Sequence, residues 1–217
     1  NSIYECLLNT NITYITVPTP SLKSGKFSNK LLLNVLEDIC FFIKTKSQKI
    51  PHIININSTV SPNSFEEELI PFMEKKGLIN DIDFSFIYNP YFVALGNVFK
   101  NLESPDYILL GYSTKQSLDK IKLIYKKIYK KPVLKSMSLN EAVLVKLLVN
   151  CYITSKISFT NFVKNLTDKT GLTSAEVILE AIGSDKRIGN YYFKQGGPFS
   201  GPCFPREIGR ASCRERV

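Results

Sequence analysis

Short β-rich apolar runs alternate with longer segments whose apolar residues recur every three or four positions, and this alternation constrains the fold more than any other feature. Ile12 to Val17 is the first run, closed by Pro18-Thr19-Pro20, and Leu31 to Phe42 follows at helical spacing. His52 to Asn57 is the second. It leads through Ser58-Thr59-Val60-Ser61-Pro62 into a segment with Glu66, Glu67 and Glu68 at its start and Lys75, Lys76 and Gly77 at its end. Those charges complement a helix dipole, and the glycine suits a C-terminal cap. Phe84 to Tyr88 and Tyr107 to Leu110 are two more strands, and Ser117 to Tyr129 is a further helix. The order predicts an α/β fold with a mainly parallel sheet. Ligands of such sheets bind beyond the carboxyl ends of the strands, here the loops at Pro18 to Ser21, Ser58 to Ser61 and Asn89 to Gly96.

After Pro132 the pattern changes. Ser138 to about Asp168 holds neither proline nor glycine, and Ser138 with Glu141 three residues later forms a capping box, which predicts one long helix. It is apolar nearly all round, so it is expected to be buried on several sides, between domains or between subunits. Lys146 and Asn150 lie four apart on it and share a face, although a lysine in such a stretch is by itself most often a snorkelling residue. Ser174 to Ile182 is a shorter helix leading to Gly183-Ser184-Asp185-Lys186-Arg187-Ile188-Gly189. Beyond it, Gly196-Gly197-Pro198-Phe199-Ser200-Gly201-Pro202-Cys203-Phe204-Pro205-Arg206 frames one cysteine with glycines and prolines. Cys203 is a candidate covalent nucleophile, and equally an incidental cysteine in a surface loop.

The 217 residues are 44% hydrophobic, enough for one large or two small domains. The formal charge of +9 gathers in Lys120 to Lys135, where lysines interleave with Ile121, Leu123, Ile124 and Ile128. That is a solvated helix face rather than a nucleic-acid surface, and the basic excess also suits an anionic nucleotide. The five cysteines lack paired or metal-ligand spacing, so neither disulfides nor a metal site is expected. His52, the only histidine, opens a strand and is expected to be structural. With no signal peptide and no bilayer-length apolar run, the longest, Leu144 to Val149, being broken by Lys146, a soluble cytoplasmic protein without membrane contact is expected. Glu207 to Val217 matches an in-frame translation of a sequencing adapter. With no starting methionine, the chain is expected to be an internal fragment ending near Arg206.

Seven elements then stand in one order: Val17-Pro18-Thr19-Pro20; Ser58-Thr59-Val60; Asn89-Pro90 to Gly96; Asn140-Glu141 to Lys146 to Asn150; Lys156-Ile157-Ser158-Phe159; Ile182-Gly183 to Arg187-Ile188-Gly189; and Gly201-Pro202-Cys203-Phe204-Pro205. Together they resemble the UDP-glucose/GDP-mannose dehydrogenase family from about Asn11 to Arg206. The resemblance implies the C-terminal part of a Rossmann-type NAD-binding domain over residues 1–135. It also implies a central helical dimerisation region with a catalytic cysteine loop over 136–206, leaving 207–217 as the tail. It further implies an NAD-dependent four-electron oxidation of a nucleotide sugar at C6 through a thioester on Cys203, in a homodimer joined by the 138–168 helix. Lys146 and Asn150 then match residues facing the reacting carbon and its water, and Thr59 a catalytic residue beside the nicotinamide. Val17, Pro18, Thr19 and Ser58 fall with Thr59 on the dinucleotide side. Tyr91, Phe92, Arg187, Lys194, Phe199 and Gly201 fall on the substrate side, with Arg187 reaching the substrate of the other subunit. UDP-glucose is the leading substrate, and GDP-mannose or a UDP-N-acetylhexosamine the alternative.

Three departures qualify the match. Tyr91 stands where the family usually has the glutamate assigned to the hydrolytic water, and a phenol is a poor base near neutral pH. No G-x-G-x-x-G occurs, and Glu207 replaces the family's aspartate. A catalytically degenerate paralogue and a basic nucleic-acid-binding module are the readings from other classes.

Overall fold

The computed structural model describes residues 7, 9–46, 50–93, 97–171 and 174–193. Five strands form one sheet in the order β1 (Ile12–Ile15), β2 (His52–Ile56), β3 (Phe84–Tyr88), β4 (Ile108–Tyr112) and β5 (Leu134–Ser138). The pairs β1/β2, β2/β3 and β4/β5 are parallel, while β3 meets β4 antiparallel through Ile87 opposite Tyr112 and Tyr88 opposite Gly111. The mainly parallel sheet expected from the sequence is therefore found, with one reversal.

β2 and β3 are buried along their whole length, as strands covered on both faces must be. On one face Phe84, Phe86 and Tyr88 alternate along β3. The ring of Phe65 meets Phe86 and Tyr88 edge-on at 5.4 and 5.7 Å between centroids. Phe65 begins one π-helical turn, Phe65–Leu69, running directly into α2 (Ile70–Lys75). Pro71 cannot donate a backbone bond and crowds the turn before it, which accounts for the widened start of what the sequence predicts as an ordinary helix. α1 (Lys30–Thr45) lies beside α2, where Cys40 Sγ donates to Met73 Sδ at 3.1 Å. On the other face α4 (Lys115–Ile128) packs Leu118, Ile121 and Tyr125 against Ile53, Ile87, Ile108 and Leu110. The short helix α3 (Val98–Glu103) and strand β5 are the elements the sequence reading did not resolve.

α5 (Leu139–Thr170) is the expected long helix. Its capping box is formed: Ser138 N–H and Oγ donate to Glu141 Oε2 at 2.8 and 2.7 Å, and Glu141 N–H returns to Ser138 Oγ at 3.3 Å. These bonds hold the Glu141 carboxyl below its usual range. The chain divides into two compact units inside this helix, Asn1–Lys146 and Leu147–Val217. In the first, Gly111 on β4 lets the start of α5 approach. A Cβ there would lie 2.8 Å from Ala142 Cβ and 3.1 Å from Leu139 Cα.

In the second unit α5 runs on beside α6 (Ala175–Gly183), with Val163, Ala175 and Leu179 as a small core. Within this one chain Leu148 (56%), Tyr152 (67%) and Phe162 (59%) of α5 are exposed, as are Phe159 and Leu166, so the chain alone does not bury the helix on every side. By length and composition alone α5 is also apolar enough to cross a membrane, which differs from the expectation stopped at Lys146. The core helix of a globular protein passes the same test.

Candidate functional site

The loops after β1, β2 and β3 open at one edge of the sheet and are bonded to one another. Ser58 Oγ accepts from Val17 N–H and donates to Val17 O, each at 2.8 Å, and Thr19 Oγ1 donates to Thr59 O at 2.7 Å. Ser58 and Thr19 are buried, Val17 and Thr59 half-buried, and Pro18 exposed at the rim. The hydroxyls of Ser58 and Thr19 therefore set the shape of these loops. Farther along, Ser61 Oγ accepts from Phe27 N–H at 2.8 Å, and the Asn63 N–H donates to Asn140 Oδ1 at the start of α5 at 3.2 Å.

A buried asparagine fixes the third loop. Asn89, 2% exposed, receives Asn57 Nδ2 on its carbonyl at 2.6 Å and donates its own Nδ2 to Leu109 O at 2.9 Å. Its Oδ1 accepts from the Tyr125 hydroxyl of α4. Asn57 and Tyr125 were not singled out by sequence, and Asn89 entered only as the head of the Asn89-Pro90 to Gly96 element, without this role. The available signal was an asparagine directly after each of two mostly apolar strands, where a buried amide must find partners.

That loop carries the contact central to the site. Lys146 Nζ donates to the backbone carbonyl of Tyr91 at 2.8 Å and lies 4.7 Å from the ring centroid of Phe92. Phe92 in turn packs on Tyr107, centroids 5.0 Å apart. Carbonyl and ring face together hold the half-buried ammonium, so Lys146 is not simply snorkelling. Burial raises the Tyr91 phenol above its ordinary pKa, with the nearby Tyr14 and Tyr129 adding to the shift, which leaves still less phenolate to act as a base near neutral pH. The bonds thus join Val17, Thr19, Ser58 and Thr59 in one set, with Pro18 exposed beside them, and Tyr91, Phe92 and Lys146 in another.

In the second unit Asn150 is half-buried on α5. Arg187 sits in the turn after α6, where Asp185 binds it by Nε at 3.0 and 3.1 Å and by Nη2 at 2.6 Å. The same bonds hold the Asp185 carboxyl low. Lys194, Phe199, Gly201 and Cys203 lie outside the described residues, as does the 207–217 segment. His52 has the structural setting expected of it: it is buried with Nε2 2.8 Å from Thr13 Oγ1.

Residues 1–129 match the NAD binding domain of the UDP-glucose/GDP-mannose dehydrogenase family, and residues 140–211 match its central domain. The UDP-glucose 6-dehydrogenase of Rickettsia bellii is 33% identical over 205 residues, 94% of this chain and 45% of that protein. The GDP-mannose 6-dehydrogenase of Pseudomonas aeruginosa is 27% identical over 207 residues, 94% of this chain and 46% of that protein. A solved UDP-glucose dehydrogenase from Pyrobaculum islandicum superposes with a TM-score of 0.84 at 28% identity, covering 98% of this chain and 49% of that one. The chain thus spans about half the length of the curated relatives it matches. It belongs to the UDP-glucose/GDP-mannose dehydrogenase family.

Proposed function

We propose that the chain is part of a nucleotide-sugar 6-dehydrogenase that oxidises UDP-glucose to UDP-glucuronate through a thioester on Cys203. The observation that carries this reading is the Lys146 ammonium held against the Tyr91 carbonyl and the Phe92 ring, at the edge where ligands of such sheets bind. A fixed cation there suits an anionic sugar nucleotide and the oxyanions of carbonyl chemistry.

NAD fits the residues present. The loops carrying Val17 to Thr19 and Ser58 to Thr59 are drawn together by bonds of 2.7 and 2.8 Å into a preformed rim, and these residues would hold the nicotinamide half. NAD supplies the oxidant for both two-electron steps. In this reading the Cys203 thiolate adds to the C6 aldehyde, forming the C–S bond, and later carries the acyl group until water releases the acid and returns the thiol. Lys146 stabilises the oxyanions of addition and hydrolysis, Asn150 orients the water, and Thr59 lines the nicotinamide side. Tyr91 and Phe92 line the sugar pocket. Lys194, Phe199, Gly201 and Arg187 complete the substrate side.

A homodimer through α5 is part of the proposal. Leu148, Tyr152, Phe159, Phe162 and Leu166 are exposed at spacings of three, four and seven, a stripe suited to a second copy of the same helix. GDP-mannose is the second substrate reading, favoured by the 27% identity to the P. aeruginosa enzyme. The test is NAD reduction by the chain extended with those portions of the R. bellii relative that it does not span, assayed on UDP-glucose, GDP-mannose and UDP-N-acetylglucosamine. Turnover with UDP-glucose above the others supports the proposal. No turnover with any of them rejects it in favour of a degenerate paralogue.

A further inference from the structure

Lys156, ten residues beyond Lys146 on α5, is held in the same manner. Its ammonium donates to Ile188 O at 3.1 Å and Gly189 O at 3.2 Å, and it lies 4.7 Å from the ring centroid of Phe193. An exposed lysine is usually a solvated residue, but here two carbonyls and one ring converge on a single half-buried ammonium. The turn it grips is otherwise held by its own local bonds and a few neighbouring contacts. Ile188 and Gly189 N–H both donate to Asp185 O, at 2.9 and 3.0 Å, and Gly189 sits at φ +73°. The carbonyls that end such a turn need a donor, and a cation is the strongest one available. Neighbouring contacts act in the same place: Phe159 packs on Phe193 at 6.1 Å, and Thr160 Oγ1 approaches Tyr192 O at 3.5 Å. Gly183, at the other end of the segment, is closely met by Asn190, whose Oδ1 would lie 1.8 Å from any added Cβ. Arg187, whose side chain is 87% exposed, projects from the middle of this clamped segment with its guanidinium aligned by Asp185.

We propose that Lys156 is a positioning residue: by bridging the Ile188 and Gly189 carbonyls it fixes the turn that displays Arg187 to an anionic or hydroxyl-rich group of the nucleotide sugar. The functional half of this rests on the reading of Arg187 given above, and the clamp itself does not.

Two measurements separate them. Amide hydrogen exchange on the 217-residue chain compares wild type, Lys156→Met and Lys156→Arg. Loss of a charged hydrogen bond predicts roughly tenfold faster exchange at Ile188 and Gly189 in Lys156→Met, unchanged protection in β2 and β3, and recovery in Lys156→Arg. Unchanged exchange at those two amides, or acceleration spread evenly along α5 and α6, overturns the clamp. In the extended chain, Lys156→Met should raise KM for UDP-glucose several-fold with little change in kcat, as Arg187→Met should. If Arg187→Met raises KM and Lys156→Met does not, the positioning role is wrong. If neither does, the reading of Arg187 is what fails, and the functional half of the proposal falls with it.

Discussion

Lys146 Nζ reaches the backbone carbonyl of Tyr91, 2.8 Å away, and this bond does not depend on which side chain stands at position 91. The lysine therefore keeps its place whether that position carries a phenol or a carboxylate. Only the water-handling role depends on the side chain. In the extended chain Tyr91→Phe should change turnover by less than about twofold, because the phenol is a poor base near neutral pH. Tyr91→Glu should speed breakdown of the acyl-enzyme, read by single-turnover mass measurement. No gain in that rate would remove Tyr91 as the brake on hydrolysis.

Gly111 sets how closely the first turns of α5, and hence Lys146, approach the sheet. A methyl group there meets Ala142 Cβ at 2.8 Å, Leu139 Cα at 3.1 Å and Tyr88 Cβ at 3.2 Å, two of them on or beside backbone that cannot easily yield. Gly111→Ala should destabilise the first unit by about 1–3 kcal/mol, measured by urea unfolding. An unchanged midpoint would show that α5 can shift freely on β4.

His52 should make stability fall in mild acid. Burial, with a smaller contribution from the Lys46 charge, lowers its pKa from 6.5 to about 4, so the folded site resists a proton that the unfolded chain accepts. The unfolded state then binds more protons between pH 6.5 and 4. Stability is full above that window and lost through it as pH falls, by up to about 3 kcal/mol. Urea midpoints compared at pH 7 and 4.5 should show this loss in wild type and much less of it in His52→Gln. Equal losses in the two proteins would place the acid sensitivity elsewhere.

Cys40 should be inert. Burial, reinforced by the Glu37 charge, pushes its thiol up to about 11, and it packs against Met73. Brief iodoacetamide treatment of the native chain should leave Cys40 unmodified and label Cys203 well ahead of it, as mapped by peptide mass. Faster labelling at Cys40 would contradict the packing of α1 on α2.

The sequence made the strands β1 to β4 and the helices α1, α4, α5 and α6 legible because each buries a regular apolar pattern. The Ser138 and Glu141 cap was legible because it is local. β5 was not: Leu134-Lys135-Ser136-Met137-Ser138 carries only two apolar residues and owes its strand to the ladder with β4. The β3/β4 reversal was hidden for a related reason, since buried strands look alike in either direction. Within the site, Lys146 and the loop hydroxyls were found through the order of motifs, not through periodicity. The Asn57 to Asn89 bond spans 32 residues, and no local pattern announces it. Which residues of α5 form its exposed stripe was not legible, because composition cannot say which apolar residues a single chain leaves uncovered.

The central claim is covalent oxidation at Cys203 assisted by Lys146, and product stoichiometry tests it most directly. In the extended chain, wild type should release two NADH per UDP-glucose. Lys146→Ala should slow the reaction about a hundredfold or more, the effect of losing one positioned electrostatic donor worth roughly 3 kcal/mol. Cys203→Ala should lose nearly all oxidation to the acid. If Cys203→Ala still yields two NADH per sugar at near wild-type rate, the thioester route is wrong, and the loop around Cys203 serves substrate binding alone.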